Sequence, residues 1–249
     1  IDVTGQFHEA LTITKNIQLK GQSATFYQPI HITADVRIDN IHFYETVTTE
    51  HGTVRFTNCT FEPKTGNALT VLTPTTLLQC QIHGGDYGVY ATAPATIQNT
   101  TIHHATCGIY SLQTVMNIEH STIIDSTKLG ISTVDGELIM HHAKVLRSQQ
   151  SNIKVDGTQT TLSNSAAKHS HDGAGLWALN QSVMSISHSE LTHNAKPNIS
   201  MAHSQLFVEK TKLTHSKQCG IWMKDQAKAQ FIDCTVSDNT YANVELADS

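Results

Sequence analysis

The sequence has little arginine, little net charge and no long apolar run. Its guanidinium groups come only from Arg37, Arg55 and Arg147, and the formal net charge of the 249 residues is −5. A chain with this balance lacks the basic surface that attracts nucleic acid or an anionic membrane, so we expect neither as a partner. No apolar segment approaches the ~18 residues of a membrane-spanning helix, so we also expect no membrane insertion.

No signal peptide is recognisable in the sequence, but this says little about targeting, because the chain opens at Ile1 without a methionine. The hydrophobic share of 39% is enough for a substantial core. We therefore expect residues 1–249 to form a single domain that is excised from a longer protein.

What the sequence does contain is an internal repeat of about 22 residues. A Gly or Asn before a small or branched apolar residue marks each repeat; the markers are Gly88, Gly108, Gly130, Asn152, Gly175, Asn198, Gly220 and Asn243. In step with them runs a pattern of two apolar residues two apart, a bend, and two more; one example is Val54, Phe56, Cys59 and Phe61. Apolar residues two apart indicate a strand with one buried face.

Each repeat thus predicts three short strands separated by polar turns, and none shows helical periodicity. An all-β parallel β-helix (solenoid) of about eleven coils fits this pattern, because stacked coils share one continuous core. A specific consequence is that two successive sets of side chains should stack inside that core, namely Leu138, Met140, Ala143 and Val145 over Met116, Ile118, Ser121 and Ile123.

The repeats resemble the right-handed parallel β-helix repeats of the pectate-lyase-like superfamily. The opening segment GQFHEALTITKNIQLKGQ is similar to that family's usual first coil, with Phe7 in place of a tyrosine and with Glu9, Ile13, Lys15 and Gly21 at matching positions. The resemblance implies a right-handed solenoid over nearly the whole chain. It implies little about function, because this fold carries lyases, hydrolases, epimerases, adhesins and binding scaffolds.

The five cysteines are predicted to be free thiols. Cys107 and Cys219 lie five coils apart, roughly 24 Å at ~4.8 Å per coil, whereas a disulfide needs Cα atoms within about 7 Å. Cys59 and Cys80 are in neighbouring coils, but parallel side chains in register point the same way. Free thiols favour a reducing compartment, so we expect a cytoplasmic location.

Histidine is abundant, with 16 residues, and three of them fall into one column of the repeat. His169, His193 and His215 should stack in consecutive coils. The resemblance implies that asparagine is common there, with hydrogen bonds from coil to coil, and a neutral imidazole could do the same. The alternative is a metal site, since imidazole binds zinc, copper or nickel. We favour the turn role, and expect no bound metal and no cofactor.

Catalytic motifs of the fold are not recognisable. Asp172 lies in SHDGAGLW, which is faintly similar to a polygalacturonase motif, but the accompanying aspartates and basic residues are missing. Asp86 is four coils away, roughly 19 Å, too far for a pair of catalytic carboxyl groups. The aspartates Asp135, Asp156, Asp225 and Asp248 form another column, which we interpret as turn residues.

The remaining candidate site is a column of outward aromatic residues on the third strand of the coils: Tyr90, Tyr110, Trp177 and Trp222. Such rings can stack on sugars or anchor a protein. Simple strand propensity or packing beneath a neighbouring domain would also explain them. We predict a non-catalytic interaction scaffold whose aromatic face binds a glycan, a protein partner or another domain of the parent protein. The alternative is a polysaccharide lyase or glycoside hydrolase whose active site is not recognisable from these motifs.

Overall fold

The computed structural model describes residues 1–247, which form 33 β-strands and no helix. In chain order the strands are β1 (Asp2–Phe7), β2 (Leu11–Ile13), β3 (Ile17–Phe26), β4 (Ile30–Thr33), β5 (Val36–Phe43), β6 (Val47–His51), β7 (Val54–Thr57), β8 (Thr60–Phe61), β9 (Leu69–Val71), β10 (Thr75–Leu78), β11 (Gln81–His83), β12 (Tyr87–Ala91), β13 (Ala95–Gln98), β14 (Thr101–His103), β15 (Cys107–Leu112), β16 (Val115–Glu119), β17 (Thr122–Ile124), β18 (Ile131–Val134), β19 (Glu137–His141), β20 (Lys144–Leu146), β21 (Ile153–Asp156), β22 (Gln159–Ser163), β23 (Ala166–Lys168), β24 (Leu176–Leu179), β25 (Val183–Ser187), β26 (Glu190–Thr192), β27 (Ile199–Ala202), β28 (Gln205–Glu209), β29 (Lys212–Thr214), β30 (Ile221–Lys224), β31 (Lys228–Ile232), β32 (Thr235–Ser237) and β33 (Val244–Leu246). Within these residues nothing forms a helix long and apolar enough to cross a membrane.

The strands lie in two parallel sheets that together make a solenoid. The smaller sheet has 12 strands, which are β2, β4, β6, β9, β12, β15, β18, β21, β24, β27, β30 and β33. The other 21 strands form the larger sheet, where most coils contribute two strands joined by a bend. Twelve strands in a row define eleven coil-to-coil steps (12 − 1 = 11), so the predicted parallel solenoid of about eleven coils is confirmed.

The core runs along the inside of the stack, as the apolar spacing predicts. Met116 is in register with Leu138, and Ile118 with Met140, on adjacent strands of the larger sheet. The other predicted members of both sets are buried as well. Because each coil places the same positions inside, the core is continuous from coil to coil and the outward residues also form columns.

The polar residues at the bends have left-handed backbone conformation, which explains why so many are Asn, Asp or His. At the bend between the first two strands, φ is 52° for Asn58, 48° for His120 and 51° for Asp233. Short polar side chains tolerate this region better than branched ones. In the aspartate column, Asp135 and Asp225 also have positive φ, whereas Asp156 does not. Asp248 lies outside the described residues.

A second polar feature, buried asparagines between coils, was not anticipated. Asn152, Asn194 and Asn198 are fully buried and hydrogen-bond to one another: Asn152 Nδ2 donates to Asn194 Oδ1 at 3.1 Å, and Asn194 Nδ2 donates to Asn198 Oδ1 at 2.9 Å. A Cβ atom on Gly175 would lie 2.6 Å from Asn194 Nδ2. The glycine of one coil therefore leaves the space that the asparagine amide of the next coil fills.

Candidate functional site

The predicted aromatic column exists as a register column on the outer face of the smaller sheet. Consecutive strands align its members in the order Tyr90, Tyr110, Ser132, Lys154, Trp177, Ser200, Trp222 and Glu245. Alternation along each strand turns these side chains outward while their neighbours enter the core. The structure therefore brings the four aromatic residues onto one face but divides them into two groups.

The first group is a tyrosine cluster at the start of the column. The rings of Tyr90 and Tyr110 are stacked, with centroids 5.5 Å apart and an interplanar angle of 9°. Tyr87, which the sequence reading did not single out, lies 5.6 Å and 5.4 Å from them. Burial, together with the two neighbouring tyrosines, raises the pKa of Tyr110. These half-buried rings contact each other and leave little free aromatic face.

The second group forms a shallow groove. Trp177 and Trp222 are two strands apart, about 10 Å, with the small residue Ser200 between them. Together with Pro197 they line an open depression of about 500 Å³. Trp177 is 37% exposed, the most of the column's aromatic residues. We refer to Trp177, Ser200 and Trp222 with their flanking residues as the tryptophan groove.

Lysine side chains surround this groove. The ammonium of Lys154 lies 5.2 Å from the ring centroid of Trp177, and that of Lys224 lies 5.4 Å from the ring centroid of Trp222. Lys196 also lines the depression and pairs with Asp172 at 3.3 Å. Both lysine–tryptophan contacts are cation–π interactions, which hold a positive charge beside each ring.

The groove continues past Trp222 toward the last coils. A second open depression of about 510 Å³ is lined by residues that include Pro197, Trp222, Tyr241 and Glu245. Trp222 thus separates two depressions along the direction of the solenoid axis. The surface is elongated and open, as an extended chain-like ligand would require.

The carboxyl groups weighed as catalytic candidates are exposed turn residues. Asp172 lies at the rim of the tryptophan groove, is 81% exposed in its side chain, and pairs with Lys196. Asp86 is an exposed residue of a different coil, and the structure does not bring the two together.

His169, His193 and His215 stack as predicted, but their imidazole rings contact one another instead of forming hydrogen bonds. Ring centroids are 5.0 Å apart for the first pair and 4.5 Å for the second, where the rings are parallel within 4°. Among residues 1–247 the three imidazoles make no hydrogen bond to a neighbouring coil; His215 Nδ1 instead contacts Thr214 Oγ1 of its own coil at 2.9 Å. All three residues have φ between 56° and 59°, so backbone conformation explains the residue type.

Replacing His169, His193 and His215 together by Asn should leave the melting temperature nearly unchanged at pH 8, because Asn suits the same backbone conformation. Burial and the neighbouring imidazoles lower the pKa of His193. The native state therefore resists protonation, and wild type should lose stability as the pH falls below the ordinary histidine pKa. The variant should lose less between pH 7 and pH 5 in a thermal melt. Equal losses in both proteins would contradict this account.

Histidines converge at a different place, which the sequence reading missed. One ring nitrogen from each of His83, His103 and His104 lies within 4.8 Å of the others. Burial, then the neighbouring His83 and His104, lowers the pKa of His103. Adjacent histidines at the end of a strand, with another one repeat earlier, are the sequence signal that could have found this cluster.

All five cysteines are free, as predicted, and four are buried. Burial raises the pKa of Cys107 to about 12 and, with the nearby Glu245, that of Cys219 to about 11. A hydrogen bond with Cys80, together with burial, raises the pKa of Cys59. Cys59, Cys107 and Cys219 are therefore buried core residues in which the thiol is favoured over the thiolate.

Comparison with known proteins agrees with this architecture. The family model described as a right-handed beta helix region matches residues 135–249. The chain has a right-handed parallel β-helix fold. A periplasmic alginate epimerase superposes with a TM-score of 0.75 at 11% identity, covering 95% of this chain and 73% of that protein.

Two other solved structures extend the fold similarity. The Dettilon tailspike protein has a TM-score of 0.66 at 9% identity, over 99% of this β-helix and 61% of the tailspike. A surface adhesin of Streptococcus pneumoniae has a TM-score of 0.61 at 8% identity, over 97% and 84% of the two chains. A search of curated proteins finds no match. At these identities the structural similarities establish the fold alone, and this β-helix spans only part of the tailspike.

Proposed function

We propose that this β-helix is a non-catalytic scaffold that binds an acidic polysaccharide along the tryptophan groove. The observation that carries the proposal is the pairing of two outward tryptophans with lysines on an open, elongated surface. Each part of that arrangement matches a different property of a polyuronate chain.

The tryptophan rings supply stacking surfaces for sugar rings. Trp177 and Trp222 are held at a fixed spacing by strands of one sheet, and Ser200 between them keeps the floor of the groove low. A rigid aromatic side chain gives large contact area at low entropic cost, because the backbone does not need to be ordered on binding. Rings at regular positions along the solenoid suit a polymer with a regular repeat.

The lysines supply charge complementarity. Lys154 and Lys224 place ammonium groups beside the rings, and Lys196 lines the depression. A uronic acid residue stacked on either ring would bring its carboxylate near these groups. A neutral glycan would gain the stacking but not the ion pairing, so the groove should discriminate between them.

The openness of the surface supports binding over catalysis. The depression has no walls formed by long loops, and the carboxylate that lines it, Asp172, is exposed and paired with Lys196. A general acid needs a raised pKa from burial or from a second carboxylate nearby. That an alginate epimerase shares the fold is consistent with a polyuronate ligand for this chain too.

The test is calorimetric titration of the domain with alginate, polygalacturonate and neutral dextran. We expect saturable binding of a polyuronate, weak or no binding of dextran, and weakening with added salt. Trp177→Ala and Trp222→Ala should each reduce affinity about fivefold, because aromatic stacking contributes on the order of 1 kcal/mol per ring. Neither substitution should lower the melting temperature much, because both rings point outward.

The matched control is Val183→Ala, which truncates an apolar side chain of the larger sheet that is 49% exposed. It should leave polyuronate affinity unchanged. Polyuronate binding that is absent, or that both tryptophan variants retain in full, would refute the proposal; capture of a protein partner through Trp177 and Trp222 would then indicate the protein ligand instead. New reducing ends or unsaturated products that disappear in Asp172→Asn would indicate the lyase or hydrolase alternative.

A further inference from the structure

Three imidazoles meet where β11 and β14 of the larger sheet end, on different coils from the tryptophan groove. His83 and His103 are the last residues of β11 and β14 and are register partners in adjacent coils. His104 follows at once, with φ of 59°. The three ring centroids form a triangle with sides of 4.4, 5.2 and 5.3 Å. This differs from the stack of His169, His193 and His215, where rings follow one another in a row.

The coil sequence explains why the third ring fits. The residue at the position of His104 in the preceding coil is Gly84, which has no side chain, so the space beside His83 is open. A Cβ atom at Gly84 would meet nothing closer than 3.5 Å, at the carbonyl oxygen of Pro63. In the following coil the same position is Asp125, whose carboxylate is engaged by Arg147 at 2.8 Å. His104 therefore has its free space on the side of His83.

A carboxylate completes the surroundings. Glu62 Oε1 lies 3.8 Å from His83 Nδ1, and Glu62 Oε2 lies 3.1 Å from His42 Nε2. Glu62 directly follows Phe61, which is in register with Ile82, so it occupies the coil before His83. A carboxylate beside a metal-binding imidazole either orients the ring or becomes a further ligand.

We propose that His83, His103 and His104 form a binding site for a divalent transition-metal cation of the zinc class, with Glu62 as its carboxylate partner. Three imidazoles and one carboxylate suit zinc, copper or nickel and do not suit calcium or magnesium, which prefer oxygen ligands. Two nitrogens on a tetrahedral zinc lie about 3.4 Å apart for bonds of about 2.1 Å. The nitrogens of His103 and His104 are already 3.0 Å apart, so small rotations of these surface rings bring all three into range.

Metal binding would break one hydrogen bond, the one between His103 and His104. In the metal-free state the Nδ1 atoms of His103 and His104 lie 3.0 Å apart, so one of the two nitrogens donates its proton in a hydrogen bond to the other. A coordinating nitrogen must be unprotonated, so on metal binding that proton moves to the Nε2 atom of its own ring. The strands that carry His83 and His103 are backbone-paired, which fixes two of the three ligands before the ion arrives.

Calorimetric titration of zinc chloride into the domain, in a buffer that does not coordinate zinc, tests the proposal. We expect one saturable site per chain, with no binding of calcium or magnesium. His104→Asn and, separately, His83→Gln should each weaken zinc binding by about tenfold or more. Asn tolerates the left-handed backbone of His104, so this variant should fold normally.

The matched control is His142→Asn, which removes an imidazole with the same left-handed backbone conformation, with φ of 51°, from another histidine group at the bend between β19 and β20. It should bind zinc as tightly as wild type. A cobalt-loaded sample should show the visible bands of a tetrahedral site and no thiolate charge-transfer band. Absence of saturable zinc binding, equal affinity in wild type and both cluster variants, or a thiolate band would overturn the proposal.

Discussion

Replacing Asn194 by alanine should lower the free energy of unfolding by about 4 kcal/mol, since each orphaned buried polar group costs about 1–3 kcal/mol. The Asn194 amide is fully buried and uses its whole hydrogen-bonding capacity. Its Oδ1 accepts from the backbone N–H of Ser170 and from Asn152 Nδ2, both at 3.1 Å. Its Nδ2 donates to the carbonyl of Ala167 at 3.2 Å and to Asn198 Oδ1 at 2.9 Å. Truncation removes a partner from all four groups.

Two further variants separate hydrogen bonding from loss of volume. Asn194→Asp keeps the shape but loses both donors and buries a charge, so it should destabilise the domain at least as much as alanine. Asn117→Ala is the control, because Asn117 lies on an outer strand position and makes one long contact with Glu119 at 3.4 Å. Urea unfolding followed by circular dichroism measures all three. A loss below about 1 kcal/mol for Asn194→Ala would show that water replaces the missing amide.

The period of the repeat made the fold predictable from the sequence. Residues such as Leu138 and Met140 repeat at the spacing of their neighbours in the preceding coil, and a continuous core is the only way to bury every set. The buried asparagines were not predictable in the same way, because Asn152 and Asn198 stand where other repeats have glycine and therefore read as turn residues. Their burial depends on the amide of Asn194 from a neighbouring coil, which the repeat pattern does not reveal.

The sequence predicted which face of the solenoid carries the aromatic residues, but not how the side chains on that face contact one another. Period-two alternation placed Trp177 and Trp222 on one outward column. The structure has this column because the third strands of successive coils pair in register. It did not show that Tyr90 and Tyr110 stack on each other or that lysines from adjacent positions reach the tryptophan rings. It also missed the convergence of His83, His103 and His104, which depends on the missing side chain at Gly84 and on the backbone conformation of His104.

Replacing Phe61 by alanine should cost about 3–5 kcal/mol of unfolding free energy, as is usual for a buried phenylalanine. The Phe61 ring is fully buried and packs against Phe43 at 5.1 Å and Phe56 at 5.2 Å between centroids. The two flanking rings are held by their own strands and cannot collapse fully into the gap. Leu72→Ala, at a side chain 41% exposed, should cost far less in the same urea titration. A small effect of Phe61→Ala would mean that this end of the core repacks.

The Phe61 and Asn194 substitutions together should reveal how far coupling extends along the solenoid. The strands that carry or precede them, β8 and β26, are six coil-to-coil steps apart, about 29 Å at ~4.8 Å per step. Because each coil contacts only its neighbours, each variant should lose amide hydrogen-exchange protection in its own coils, and the double variant should show the sum of the two patterns.

Only Asn194→Ala should weaken polyuronate binding, since Asn194 bonds to Asn198, two residues from Ser200 at the floor of the tryptophan groove. Equal weakening by Phe61→Ala would show that the coils unfold as one cooperative unit and that the asparagines have no special role in shaping the groove.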